Sequence, residues 1–190
     1  MSAPKFSEEE KAASMKAVTD AGFPPLGCFN MQECGTKLLE LFVKKEVLIN
    51  STPTTFINDL DRQIIYCVVS SANNCEICLS FHAGALMKDS YIPASDVEKL
   101  VAGGLPDDEK AQRIAIATKY AIAHKGILLE REKKHLEALG VSKEEYAEIL
   151  FFSGLIHANN MFMVHLVSEG APIEDMLRAM GPFKNTVYKA

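Results

Sequence analysis

From Ile149 to Ser168 the chain runs for twenty residues without Asp, Glu, Lys or Arg, and that run limits the possible folds more than any other feature. A segment of this length and apolarity can cross a membrane, form the central helix of a core, or face another subunit. His157, Asn159, Asn160 and His165 fall on several faces of such a helix. Polar groups spread in that way are costly in lipid but can be satisfied inside a protein. The expectation is a core or interface helix, with no membrane.

The rest of the chain can bury it. A length of 190 residues with 48% hydrophobic residues suffices for one domain core. The net charge of −5 is scattered, with no basic patch and no run of like charge, so no nucleic-acid partner is expected. Residues Ser7-Glu8-Glu9-Glu10 stand where a signal peptide would need a basic start and an apolar stretch. The expected location is cytoplasmic.

Helix starts recur. Ser7 with Glu10, Ser95 with Glu98 and Ser142 with Glu145 each set a hydroxyl at a potential N-cap and a carboxylate three residues on, a pairing that satisfies two orphan backbone donors. Stops are marked by Gly22, Gly103-Gly104, Gly126, Gly140 and Gly170, several of them followed by Pro. The pattern predicts helices at roughly 7–21, 36–48, 55–72, 74–88, 95–102, 107–125, 130–139, 143–169 and 173–180. The expected fold is all-α: a single multi-helix domain over 1–190, with a helical extension at about 1–50, a central part at about 55–125 and C-terminal helices at about 130–190. The stretch Ile64-Ile65-Tyr66-Cys67-Val68-Val69 could instead be a buried strand, since a short apolar run has no period to decide it. A strand there, leading into Cys-x-x-Cys, would suit a thioredoxin-type domain, but the residues after Met87 offer no further strands.

Chemistry concentrates in Cys75-Glu76-Ile77-Cys78 and His82. Asn73-Asn74 precedes them as a potential N-cap, which would put both cysteines in the first turn of a helix, where backbone donors favour a thiolate. Cys75, Cys78 and His82 then share one stripe. The imidazole can take the thiol proton or, once charged, stabilise the thiolate, and either cysteine can resolve an oxidised partner. Glu76 opposes the thiolate slightly. The plainer readings are small core hydrophobes or a zinc site. For zinc a second ligand pair is lacking, because Cys28 and Cys34 are separated by five residues. Five cysteines, an odd number, do not make a disulfide scaffold. Cys67 is expected in the core, and His157 and His165 as hydrogen-bonded structural histidines.

The segment Gln63 to Met87, with Ser70-Ser71-Ala72-Asn73-Asn74-Cys75-Glu76-Ile77-Cys78 and His82-Ala83-Gly84-Ala85, resembles the alkylhydroperoxidase D-like branch of the carboxymuconolactone decarboxylase family. Weaker similarity extends through Ala111 to His124 and Asn159-Asn160. The resemblance implies an all-helical fold, assembly into trimers or hexamers, and Cys78 as the peroxidatic thiol, Cys75 as its resolving partner and His82 as the proton-relay base. There are two departures. Gln63 stands where the family's relay ends in a glutamate, and Ile77 where the characterised alkylhydroperoxidase has a histidine. A glutamine amide can orient an imidazole but cannot hold the relayed proton. Asp59, one turn earlier, is the nearest carboxylate on that face, with a plain helix-start role as the alternative.

The function expected is a thiol-dependent antioxidant oxidoreductase. Its substrate is a peroxide, or alternatively a protein disulfide; an unidentified thiol reductant resets it, with no cofactor and no metal. A non-enzymatic redox sensor and a decarboxylase-type lyase are the other readings, the last resting on fold analogy alone.

Overall fold

The computed structural model describes residues 7–20, 36–51, 53–88 and 90–168. Cys28, Cys34 and the helix expected at 173–180 lie outside the described residues. Among those described there are eight helices and no strand: α1 (Glu8–Asp20), α2 (Thr36–Ser51), α3 (Asp59–Ala72), α4 (Glu76–Lys88), α5 (Ala94–Val101), α6 (Glu109–Ala123), α7 (Glu130–Ala138) and α8 (Lys143–Ser168). The chain divides between Pro53 and Thr54 into two units; α1 and α2 pack on each other in the first, and α3 to α8, as far as His165, make the second.

α3 is the hub of the second unit, packed against α4, α5 and α6. Its ambiguous run is helical for a local reason. The Asn58 side chain accepts the Asp61 N–H at 2.8 Å while the Asp61 carboxylate accepts the Asn58 N–H at 3.2 Å, a reciprocal cap that starts the helix before the β-branched residues arrive. Asp61 is fully buried, and its carboxylate also accepts the Tyr91 hydroxyl at 2.7 Å and the Lys110 ammonium at 2.8 Å. Ile64, Ile65, Cys67, Val68 and Val69 are all at most 5% exposed. A helix buried on every side has no polar face, which is why its sequence lacks a period.

The three predicted capping boxes fare differently. Ser7 and Glu10 form theirs in full. Ser142 accepts the Glu145 N–H at 3.0 Å, but the Glu145 carboxylate turns to Arg113, 2.9 Å away, and ties α8 to α6. Ser95 caps nothing: Pro93, with its φ fixed by the ring, takes the N-cap position of α5. One residue on, buried Asp96 instead accepts the N–H groups of Asp107 and Asp108 at 2.9 and 2.8 Å, ahead of α6. Those two donors, the Asp107 N–H foremost, hold its carboxyl below the usual range.

α8 carries the uncharged run. It is long and apolar enough to cross a membrane by length and composition. Ile149, Phe152, Ser153, Ile156, Asn160 and Met163 are buried within the protein, whereas Phe151 and Met161 are about 60% exposed.

Candidate active site

The dithiol sits where one helix stops and the next begins. α3 closes with the Asn74 N–H bonded to the Ser71 carbonyl at 3.2 Å and the Cys75 N–H to the Ser70 carbonyl at 2.9 Å. Asn74 occupies the left-handed region at φ 52°. This is a Schellman closure with asparagine where glycine is more usual. Asn73 and Asn74 therefore end α3 rather than cap α4, contrary to the sequence expectation; asparagine tolerates the left-handed conformation and serves a helix end as well as a start.

The cap of α4 is Cys75 itself. Its carbonyl accepts the Leu79 N–H at 2.9 Å, the first bond of the helix, one residue before Glu76 opens the first turn. The Cys78 side chain, foremost, and the backbone N–H groups of Cys78 and Ile77 beside its sulfur hold the Cys75 thiol below its ordinary value against the opposing effect of burial. Both residues are nearly sealed, at 2% and 7% exposure. Burial pushes the neighbouring Glu76 carboxyl up.

His82 stands one turn beyond Cys78 on α4. Its Nδ1 is 2.7 Å from Gln63 Oε1 on α3, and Gln63 Nε2 donates to the Asp59 carbonyl at 3.3 Å. The second bond orients the amide so that its oxygen faces the ring, and an oxygen there requires the proton on Nδ1. Nε2 is left as the imidazole's acceptor. Burial pushes the His82 pKa down to about 3, so the ring is neutral near pH 7. Of the two roles the sequence allowed it, the geometry therefore supports proton acceptor and not standing cation. Tyr66 and Phe81 pack on the ring with centroids at 4.8 and 5.2 Å.

The carboxylates near Gln63 lie elsewhere. The Asp59 side chain is 80% exposed and pairs with Arg62. Asp61 is committed to the α3 cap, Tyr91 and Lys110. Among the described residues no three His, Cys, Asp or Glu side chains converge as a group that could hold a metal ion. Cys67 lies fully buried in α3, and burial drives its thiol far above the ordinary range.

Two contacts from α8 hold the turn before the dithiol. Asn73 Nδ2 is 3.0 Å from His157 Nδ1, and the hydroxyl of buried Ser70 donates to the side-chain oxygen of buried Asn160 at 3.2 Å. Ser70 is also the residue whose carbonyl fixes the Cys75 N–H. These partners are 84 and 90 residues apart in sequence, so no local pattern could have paired them. The only hint was two asparagines and a histidine within the uncharged run.

No family model and no curated protein matches the sequence. Among solved structures, an uncharacterized peroxidase-related protein from Silicibacter sp. TM1040 aligns over 88% of this chain and 88% of its own, with a TM-score of 0.62 and 20% identity. That likeness concerns the fold alone, which is all-helical among the described residues, as the sequence led one to expect.

Proposed function

We propose that this chain is a thiol-dependent oxidoreductase that reduces hydroperoxides, with Cys75 and Cys78 cycling between dithiol and disulfide and a separate thiol reductant restoring them. The observation that carries this reading is the placing of two buried cysteines, Cys75 and Cys78, in the first turn of α4, one turn before a His82 whose Nδ1 is held by Gln63. The peroxidase-related name of the structural neighbour points the same way. Gln63 serves by fixing the tautomer of His82 rather than by carrying a proton. Near-complete burial of both sulfurs favours a small peroxide over a folded protein's disulfide. The test treats the reduced protein with one equivalent of tert-butyl hydroperoxide. The expected outcome is loss of two thiols and an intrachain Cys75–Cys78 disulfide on peptide mapping. Thiols that stay reduced, or a bond to Cys28, Cys34 or Cys67, would remove the proposal.

The same reading places the protein in the cytoplasm, where thiol reductants can reset it, and makes it a homo-oligomer without nucleic-acid or membrane partners. Assembly is supported by the exposed Leu150, Phe151, Met161 and Val164 on α8, apolar surface that a second copy could cover. Light scattering is expected to give a mass above the 20.9 kDa of one chain; a stable monomer at micromolar concentration would contradict it.

A further inference from the structure

We propose that the cavity between the last turns of α3, α5 and α6 is a binding site for a small monocarboxylate with a hydrocarbon body, and that Lys119 holds its carboxylate. None of Cys75, Cys78, His82 and Gln63 lines this cavity, so the proposal stands apart from the dithiol reading above.

The walls come first. The cavity has a volume of about 300 Å³, at the lower end of the range for small-molecule sites. Val68, Ala72, Leu100, Ile122 and Ala123 give it apolar sides. The turn after α5 presents backbone there instead of a side chain. Gly103 stands at φ 74°, a conformation that strains other residues, and a Cβ at that point would meet the Ser71 hydroxyl at 3.4 Å.

The polar groups decide the chemistry of the ligand. Lys119 is the one lining residue that carries a charge. Its half-buried side chain donates to the Gly103 carbonyl at 2.5 Å, which sets the ammonium at the cavity wall. An ammonium has three donors, and among the described residues no carboxylate pairs with this one. The other donors at the wall are spent: Gly103 and Gly104 give their N–H groups to the Leu100 and Lys99 carbonyls at 3.0 and 2.7 Å, and the Ser71 hydroxyl donates to the Val101 carbonyl at 3.3 Å. One cation with no free backbone donor matches a single negative charge. A phosphate monoester, with its higher charge and three acceptor oxygens, would be left short of partners, and a sugar would set its hydroxyls against apolar walls. A monocarboxylate can take the remaining ammonium hydrogens while its chain displaces water from the sides. The plainer role for Lys119, covering a carbonyl just past the end of α5, requires no ligand, and the test separates the two.

The test begins with the full wild-type chain, so that it does not depend on a variant folding. Octanoate and its neutral counterpart octanol are titrated in turn and followed by methyl NMR shifts and calorimetry. Octanoate is expected to give saturable shifts at Val68, Leu100 and Ile122, and octanol to bind at least about tenfold more weakly, the scale of a charge-assisted hydrogen bond. Lys119→Met, which keeps an apolar stem, should weaken octanoate by a similar factor and leave octanol unchanged. Ala123→Leu, at an exposed lining position, should weaken both by filling the space. Equal affinity of the wild type for the two probes, or octanoate binding unaltered in Lys119→Met, would overturn the role of Lys119 and the carboxylate assignment with it. Absence of saturable shifts at those methyls, or binding indifferent to Ala123→Leu, would overturn the site itself. Shifts of the same methyls on dilution, without a response to octanoate, would assign the cavity to a contact between copies and overturn the proposal equally.

Discussion

Cys67 and Cys75 belong to consecutive helical segments and are equally hidden, at 0% and 2% exposure, yet their thiols shift in opposite directions. Cys67 lies in the middle of α3, where burial acts alone and raises its thiol far above the ordinary range. At Cys75 burial acts in the same sense but is outweighed by the Cys78 thiol and the N–H groups of Cys78 and Ile77. In mid-helix every backbone donor is already bonded to a carbonyl four residues back; in the first turn the donors have no such partner. The direction of each shift follows from place along a helix and not from access to solvent.

The largest expected effect tests that contrast directly. In the native protein at pH 7, Cys75 should be alkylated far faster than Cys67, by more than about a hundredfold, because the two thiols shift in opposite directions. Comparable labelling of the two in the folded state would break the comparison. The next effect concerns His82, one turn beyond Cys78. As pH falls below the ordinary histidine value of about 6.5 the unfolded chain takes up a proton at His82, whereas the folded chain does so only near 3. The stability associated with neutral His82 is therefore complete above about pH 6.5 and declines toward pH 3, by up to about 1.4 kcal/mol per pH unit. Urea unfolding at pH 7, 6 and 5 should show this additional slope in wild type and not in His82→Gln; parallel slopes would mean that the ring takes up its proton as readily in the fold as in the unfolded chain.

A smaller effect is expected at Gln63. A carboxylate facing Nδ1 favours the charged ring and so makes Nε2 a better proton acceptor. Gln63→Glu should therefore speed Cys78 alkylation near neutral pH by roughly two- to tenfold, a shift of under about one unit. Asp59→Asn should change it little, since that side chain faces solvent and Arg62. Rates unchanged in Gln63→Glu and in His82→Ala alike would leave the helix start as the sole influence on both sulfurs. The smallest effect is at Asn74. Its φ of 52° suits glycine, so Asn74→Gly should alter stability by less than about 1 kcal/mol and leave the labelling order intact. A reordering of labels would assign the asparagine side chain a part in holding the thiols.

Much of this architecture was legible in local sequence. The capping box at Ser7, the stops at Gly103, Gly126 and Gly140, and the i, i+3, i+7 spacing of Cys75, Cys78 and His82 are all short-range signals, and the helices follow them closely. Signals failed where one residue type serves two purposes. Asparagine before Cys75 suited a helix start and in fact ends the preceding helix; Ser95 had the right spacing but Pro93 pre-empted it. The position of Gln63 came from family resemblance, whereas its bond to His82 spans two helices and its orientation depends on a backbone carbonyl. Ser70–Asn160 and Asn73–His157 are long-range pairings fixed only when α8 packs on α3.

The short path from Cys75 to Cys78 has a consequence for endurance. A bond between these positions encloses only four residues, all held by the first turn of α4 and the carbonyl of Ser70. Loop-closure entropy for so small a ring is worth about 2 kcal/mol, near the bottom of the range for protein cross-links. Such a bond would act on the unfolded chain, and over so short a loop it would restrict that chain less than a longer cross-link does. In the proposed cycle, the oxidised protein would therefore exceed the reduced one in stability by no more than about 2 kcal/mol.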